Sequence, residues 1–282
     1  GCGRGAASSC PAPRCRARPC RSDLEEIMSN PTGSSFATAG FRSDLYAGRQ
    51  VLVVGGTSGI GLAIASAFAR HGARVGVTGA SAREVAAALA GDAAGLAGAV
   101  LDVRNDAAVR AVVAGYPALD VLVNCAGVIR RMEEHDPEVF GQVIDINLNG
   151  TMRACAAARP ALARVRRCII NTASMLTFLG GEMMTAKSAS KGGVGQLTKS
   201  LALAYAAEGI RVNALAPGWI ATPLTAALQE DVARSSLILA RTPLKRWGIP
   251  AEVADAALFL ASPAARFITG TILPVDGGYL TA

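Results

Sequence analysis

A chain of 282 residues is long enough for one large domain or two small ones with a substantial core. Apolar residues make up 51% and charged residues 17%, a globular balance that excludes disorder throughout. No apolar run approaches the ~20 residues of a membrane-spanning helix. The net charge of +7 does not point to nucleic acid, because no basic stripe with interleaved aromatics accompanies it. Much of the excess comes from Arg4, Arg14, Arg16, Arg18 and Arg21, in an opening stretch without acids.

That opening stretch, the first 27 residues, is rich in Cys, Arg, Pro, Ser and Gly and shows no hydrophobic period. Cys2, Cys10, Cys15 and Cys20 lack the Cys-x-x-Cys spacing of a zinc site, and no metal is expected. The stretch lacks the apolar centre of a secretory signal. It reads either as a weak organelle-transit pattern or as an upstream extension, with translation starting at Met28. Residues 1–45 are therefore expected to be an N-terminal extension, disordered or non-native, and residues 46–282 one domain. Cys125, Cys155 and Cys168 sit in apolar surroundings and read as reduced thiols of a cytoplasmic protein.

From residue 49 strands and helices alternate. "VLVV" (51–54) is a buried parallel strand ending in glycines. A helix follows over 60–72, then strand 74–79, helix 81–91, strand 96–103, helix 106–115 and strand 119–127. A long helix is predicted over 137–164, then strand 168–174, helix 184–208, strand 210–218, helix 251–262 and a short strand within 269–278. Regular alternation with short connections implies parallel strands and right-handed crossovers. The expected fold is a doubly wound α/β sheet of the Rossmann type in a single domain.

"VVGGTSGIGLA" places Gly55, Gly59 and Gly61 between the first strand and the first helix. Glycines there let backbone N–H groups approach a diphosphate at a helix N-terminus. The carboxylate that usually follows about 20 residues on is missing: the second strand ends in "VTGAS". Thr78, Ser81 and Arg83 could instead meet a phosphate. NAD(H) and NADP(H) both stay open, with a slight lean to NADP(H).

In order, "GGTSGIG", "LDV", "NCAG", "INLNG", "NTAS", "KSASK", "APGWIAT" and "VDGG" resemble the short-chain dehydrogenase/reductase family over residues 46–282. "AGVIRR", "NTASMLTFLGG" and "RTPLKRWGIP" look most like its 2-deoxy-D-gluconate and 2-dehydro-3-deoxy-D-gluconate dehydrogenases and gluconate 5-dehydrogenases. The resemblance implies an NAD(P)-dependent oxidoreductase that interconverts a secondary alcohol and a ketone on a sugar acid or similar polyol. It implies that Gly55, Thr57, Ser58, Gly59, Ile60 and Gly61 wrap the cofactor diphosphate, and that Asp102 and Val103 meet the adenine. Asn124, Ala126 and Gly127 would line the cleft, and Pro217, Gly218, Ile220 and Thr222 would flank the nicotinamide. Ser174 would bond the substrate oxygen, Lys191 the nicotinamide ribose, and Asn147 a water in a proton relay. A homotetramer and a substrate lid over 223–246 are implied as well.

The family carries a tyrosine thirteen positions after its serine. Counting from Ser174 gives Lys187, one helical turn before Lys191. Two ammonium groups in one cleft disfavour each other's charge, so at least one pKa is expected to fall. Three readings compete. The chain is a nearly inactive variant that still binds cofactor; or Lys187 substitutes imperfectly as proton donor; or the chain is a non-catalytic binding or scaffold protein. On the substrate side, Arg130 or Arg131 could hold a carboxylate and Glu182 substrate hydroxyls. Neither a nucleic-acid nor a membrane partner is expected.

Overall fold

The computed structural model describes residues 1, 40–90 and 95–282. Residues 2–39 of the expected extension, with its four cysteines, lie outside the described residues. The strands are β1 (Gln50–Val54), β2 (Arg74–Gly79), β3 (Ala97–Val100), β4 (Val121–Asn124), β5 (Cys168–Thr172), β6 (Arg211–Pro217) and β7 (Ile272–Val275). They form one seven-stranded sheet in the order β3-β2-β1-β4-β5-β6-β7, parallel throughout. The helices are α1 (Gly59–Arg70), α2 (Ala82–Ala90), α3 (Asp106–Ala114), α4 (Pro137–Ile144), α5 (Gly150–Val165), α6 (Thr185–Tyr205), α7 (Ala226–Glu230), α8 (Val232–Arg241) and α9 (Pro250–Ala261).

Strand alternation divides the core between the two sheet faces. Val51 and Val53 of β1 pack with Ile64 and Phe68 of α1 and Leu258 of α9. Leu52 and Val54 pack instead with Val109 of α3, Leu162 of α5 and Leu201 of α6. Both faces are thus covered, which is why the strands read as continuous apolar runs rather than alternating ones. The expected doubly wound fold is the one observed. At the start of the described fold, Tyr46 is buried and Phe41 and Leu45 pack on the first of these clusters. The Tyr46 hydroxyl donates to the Leu258 carbonyl.

The helix predicted over 137–164 is interrupted. Residues Asp145–Asn149 form a π turn between α4 and α5. Such a turn inserts one residue into the helical register and often marks a functional position; here it carries Asn147. The span 223–246, read as a lid, contains α7 and α8, the latter capped by Asp231, whose side chain accepts the Arg234 N–H.

Among the described residues no helix is long and apolar enough to cross a membrane. No group of three or more His, Cys, Asp or Glu among them could hold a metal ion.

Candidate functional site

The carboxyl ends of β1, β2, β4, β5 and β6 open onto one cavity of about 590 Å³. It lies where the strand order reverses between β1 and β4, the position at which open α/β sheets take ligands. One wall is the glycine turn: Gly55, Thr57, Ser58, Gly59, Ile60 and Gly61. Gly55 has φ +78°, and a Cβ on Gly61 would stand 2.1 Å from the Gly55 carbonyl oxygen. Only glycine allows α1 to start this close to the turn. Ser58, the N-cap of α1, makes no side-chain capping bond, and the first turn holds no acid. The first N–H groups of this 12-residue helix therefore keep their hydrogen-bonding capacity for an anion, and the helix dipole favours one. A dinucleotide diphosphate fits that cradle.

Farther along, Asp102 and Val103 line the wall. Arg104 clamps Asp102 through Nε–Oδ1 at 3.0 Å and Nη2–Oδ2 at 2.7 Å, which holds the Asp102 carboxyl below the usual carboxylate range. The acid missing from the tip of β2 has a counterpart one turn later. Glu84 lines this part of the cavity, its Oε2 accepting the Ala80 N–H at 3.0 Å and its Oε1 the Ser81 hydroxyl at 3.2 Å. Thr78 also lines the wall and accepts the Gly55 N–H at 3.2 Å, whereas Ser81 and Arg83 do not line it.

At the opposite end Ser174, Lys187 and Lys191 line the cavity together with Cys125, Ala126, Gly127 and Thr172. Pro217, Gly218, Ile220 and Thr222 close it on the β6 side. Ser174 caps a short 3-10 turn, its Oγ accepting the Leu176 N–H at 3.2 Å, so its own proton stays available. Lys191 is buried and donates from Nζ to the Thr172 carbonyl at 2.5 Å. The Lys187 Nζ, by contrast, has no hydrogen-bond or ion-pair partner among the described residues. Burial pushes Lys187 down to about 8, Arg131 adds to that, and Glu134 opposes it. Lys191 also falls to about 8, first by burial and then by the Lys187 charge. Both lysines are thus lowered chiefly by desolvation, and the neighbouring-lysine charge acts on Lys191 alone, with Arg131 taking that part for Lys187.

Asn124, Asn147, Arg130, Arg131 and Glu182 do not line the cavity either. Asn124 is buried one step behind the wall, donating to Asn171 Oδ1 at 2.9 Å and Cys155 Sγ at 3.3 Å. Asn147 is fully buried and committed to backbone and helix. Its Oδ1 accepts the Val128 N–H at 2.8 Å, and its Nδ2 donates to the Val128 carbonyl and to Ser190 Oγ. Ser190 in turn donates to the Lys187 carbonyl. Asn147 therefore ties the β4 loop to α6 beside Lys187. Arg130 and Glu182 are exposed; the Arg130 N–H goes to Glu134, and the Glu182 carbonyl lies 2.9 Å from His135 Nε2.

Glu134 was not singled out by sequence reasoning. It is 1% exposed. Its carboxylate accepts the Arg130 N–H at 2.8 Å and the Lys187 N–H at 2.9 Å, and its carbonyl accepts the Thr185 hydroxyl at 2.8 Å. It caps α6 from 53 residues away, a separation no local pattern reveals. Met132, with φ +64°, is a non-glycine residue in strained backbone. Its N–H donates to the Met183 carbonyl at 3.0 Å, which pins this loop against the start of α6.

Comparison with known proteins fits this geometry. A family profile described as enoyl-(acyl carrier protein) reductase matches residues 54–280. The chain is 43% identical over 254 residues to galactitol 2-dehydrogenase (L-tagatose-forming) of Cereibacter sphaeroides, covering 85% of this chain and 96% of that protein. It is 45% identical over 175 residues to 2-dehydro-3-deoxy-D-gluconate 5-dehydrogenase of Pseudoalteromonas atlantica, covering 61% of this chain and 69% of that protein. Among solved structures, a gluconate 5-dehydrogenase from Burkholderia cenocepacia in complex with NADP and tartrate matches with a TM-score of 0.79 and 33% identity, covering 85% of this chain and 98% of that one.

Proposed function

Because the chain belongs to the short-chain dehydrogenase/reductase family, we propose that this oxidoreductase uses NAD(P) to interconvert a secondary alcohol and a ketone on a sugar acid or related polyol, with turnover reduced by Lys187. The observation that carries the reading is one cavity holding an uncapped glycine turn at one end and Ser174, Lys187 and Lys191 at the other. The names of the relatives, a polyol and a sugar-acid dehydrogenase, support the substrate class. When bound, the nicotinamide would supply or accept the hydride. Gly55, Gly59 and Gly61 hold the diphosphate, and Asp102 and Val103 border the adenine. Pro217, Gly218, Ile220 and Thr222 keep water from the nicotinamide. Glu84, as a carboxylate in the adenosine end of the wall, disfavours a 2′-phosphate, so NAD(H) and NADP(H) remain competing cofactors.

On this reading Ser174 orients the reacting oxygen with its free proton, and Lys187 exchanges the proton that accompanies hydride transfer. A lysine near 8 can serve as acid or base close to neutral pH. Its amine sits on a longer, more flexible stem than a phenol, so alignment is poorer. None of the chain's four tyrosines lines the cavity, which favours a second reading: a cofactor-binding protein without turnover. Exposed Met152 on α5, Leu203 on α6 and Phe267 are the surfaces a homotetramer would cover. We place the protein in the cytoplasm, where its free thiols Cys125, Cys155 and Cys168 stay reduced.

A panel of keto and hydroxy sugar acids with matched neutral polyols, run with both cofactors, tests the substrate class. Arg131 does not line the cavity, but it is half-buried and its charge acts on Lys187, so it is preferred to exposed Arg130 as the carboxylate anchor. In a Lys187→Tyr background, Arg131→Ala is expected to raise KM for the acids by about 10- to 100-fold, the loss of one charge-assisted bond of ~1.5–3 kcal/mol. Neutral polyols should be unaffected; equal effects on both sets remove the anchor, and no turnover of any member removes the enzyme reading.

A further inference from the structure

We propose that Lys187 is a covalent carbonyl-binding site, whose amine condenses with the ketone of a small keto acid to form an imine. The inference uses the proposed function only in that the cavity admits a carbonyl compound, and it involves neither cofactor nor hydride. Lysine is scarce in this chain: there are four, Lys187, Lys191, Lys199 and Lys245. Two of them line one cavity, while Lys199 and Lys245 are exposed.

The two cavity lysines are not equivalent. Lys191 is tied to the Thr172 carbonyl, whereas Lys187 lines the cavity and its Nζ has no partner among the described residues. Lys187 also stands in the first turn of a 21-residue helix, where the dipole opposes a cation. The charged and titratable groups that face the pair are Arg131 and Glu134 on the loop before α4, and Cys125 after β4. Arg131 and Lys191 are cations and the Glu134 carboxylate is occupied by two backbone N–H groups. A second cation beside a desolvated lysine is the arrangement that makes an amine a nucleophile. The same cations favour a substrate that carries a carboxylate. Near pH 7 a lysine lowered in this way holds more neutral amine than an ordinary one.

The chemistry balances without an oxidant. The neutral Nζ adds to the carbonyl carbon, the C–O π pair moves to oxygen, and the proton lost from nitrogen ends on that oxygen, giving a carbinolamine. Lys191, as an ammonium in the same cavity, protonates the departing hydroxyl. Water leaves, the nitrogen lone pair closes the C=N bond, and the remaining N–H proton returns to Lys191. In sum, one ketone and one primary amine give one imine and one water.

Borohydride trapping tests this on the full chain without added cofactor. The protein is incubated with pyruvate or 5-keto-D-gluconate, reduced, digested and mapped by mass spectrometry. The expected result is a secondary-amine adduct on Lys187 in about tenfold or greater excess over Lys199 and Lys245, rising as pH approaches about 8 and falling above it as Lys191 loses its proton. Lys187→Arg keeps the charge but cannot form an imine, and should abolish that adduct. No adduct, an adduct on Lys191, or equal labelling of all four lysines would overturn the proposal. Failure here leaves cofactor binding and the activity of Lys187→Tyr untouched, so it is distinguishable from failure of the oxidoreductase reading.

Discussion

Lys187→Tyr is expected to raise kcat by on the order of 10²-fold or more, with a much smaller change in cofactor affinity. Ser174 and Lys191 already share the cavity with position 187, so only the proton-handling group changes. A phenol there also alters its neighbour. The Lys187 charge is one of the causes that lower Lys191. Without it Lys191 regains charge, and a charged Lys191 in turn draws the phenol down towards working pH. Stability should rise as well. Lys187 stands at about 8 in the fold against 10.5 ordinarily, so the unfolded chain binds the extra proton between those values. The penalty is therefore full below about pH 8 and is relieved as pH climbs towards 10.5. At pH 7 the tyrosine variant should melt at a higher temperature, and the gap should narrow above pH 9. Steady-state kinetics and thermal melts across pH read both effects. A variant with no gain on any substrate would mean that the site is impaired elsewhere or does not catalyse.

Gly61→Ala is expected to weaken NAD(P) binding by roughly 10²-fold and to lower the melting temperature. Its Cβ would stand 2.1 Å from the Gly55 carbonyl oxygen and 3.1 Å from Gly56 Cα. Both are backbone atoms in a turn already held by the Thr78 hydroxyl and the Thr78 carbonyl, so α1 itself must shift. Overpacking of this kind costs about 1–3 kcal/mol, and the N–H groups of the first turn lose their aim at the diphosphate. Fluorescence titration and a thermal melt on the same sample separate the two losses. Gly59→Ala is the comparison: a Cβ there meets only the Thr222 side chain, Cγ2 at 3.5 Å and Cβ at 3.6 Å, so its penalty is confined to a φ of +51°. Unchanged affinity in Gly61→Ala would place the diphosphate elsewhere.

Much of this architecture is legible in the chain because both sheet faces are covered. "VLVV" and "CIIN" stay apolar at every position, or nearly so, and the glycines after β1 announce the turn. Edge strands are harder: β3 was expected over 96–103, and only Ala97–Val100 pair, since one side of that strand has no neighbour to hold it. Helical periodicity cannot reveal the π turn at 145–149, because one extra residue shifts the register without changing composition. Within the site, Ser174, Lys187 and Lys191 are legible because their spacing lies on one strand end and one helix. Glu84 and Thr172, which line the cavity from the start of α2 and the end of β5, and Glu134, which caps α6 from outside it, are not, because each meets the site only through tertiary packing of distant elements. Asn124 illustrates the opposite error: its motif points to the cleft, while the strand turns its side chain inward to Asn171 and Cys155.

The most direct measurement is calorimetric titration of the unmodified protein with NADH and NADPH, alongside Lys187→Tyr. Saturable one-site binding of at least one cofactor, with affinities for the two proteins within severalfold of each other, is the expected result: an intact dinucleotide cleft in which only the proton-handling group differs. No binding of either cofactor by either protein at millimolar concentration would contradict it.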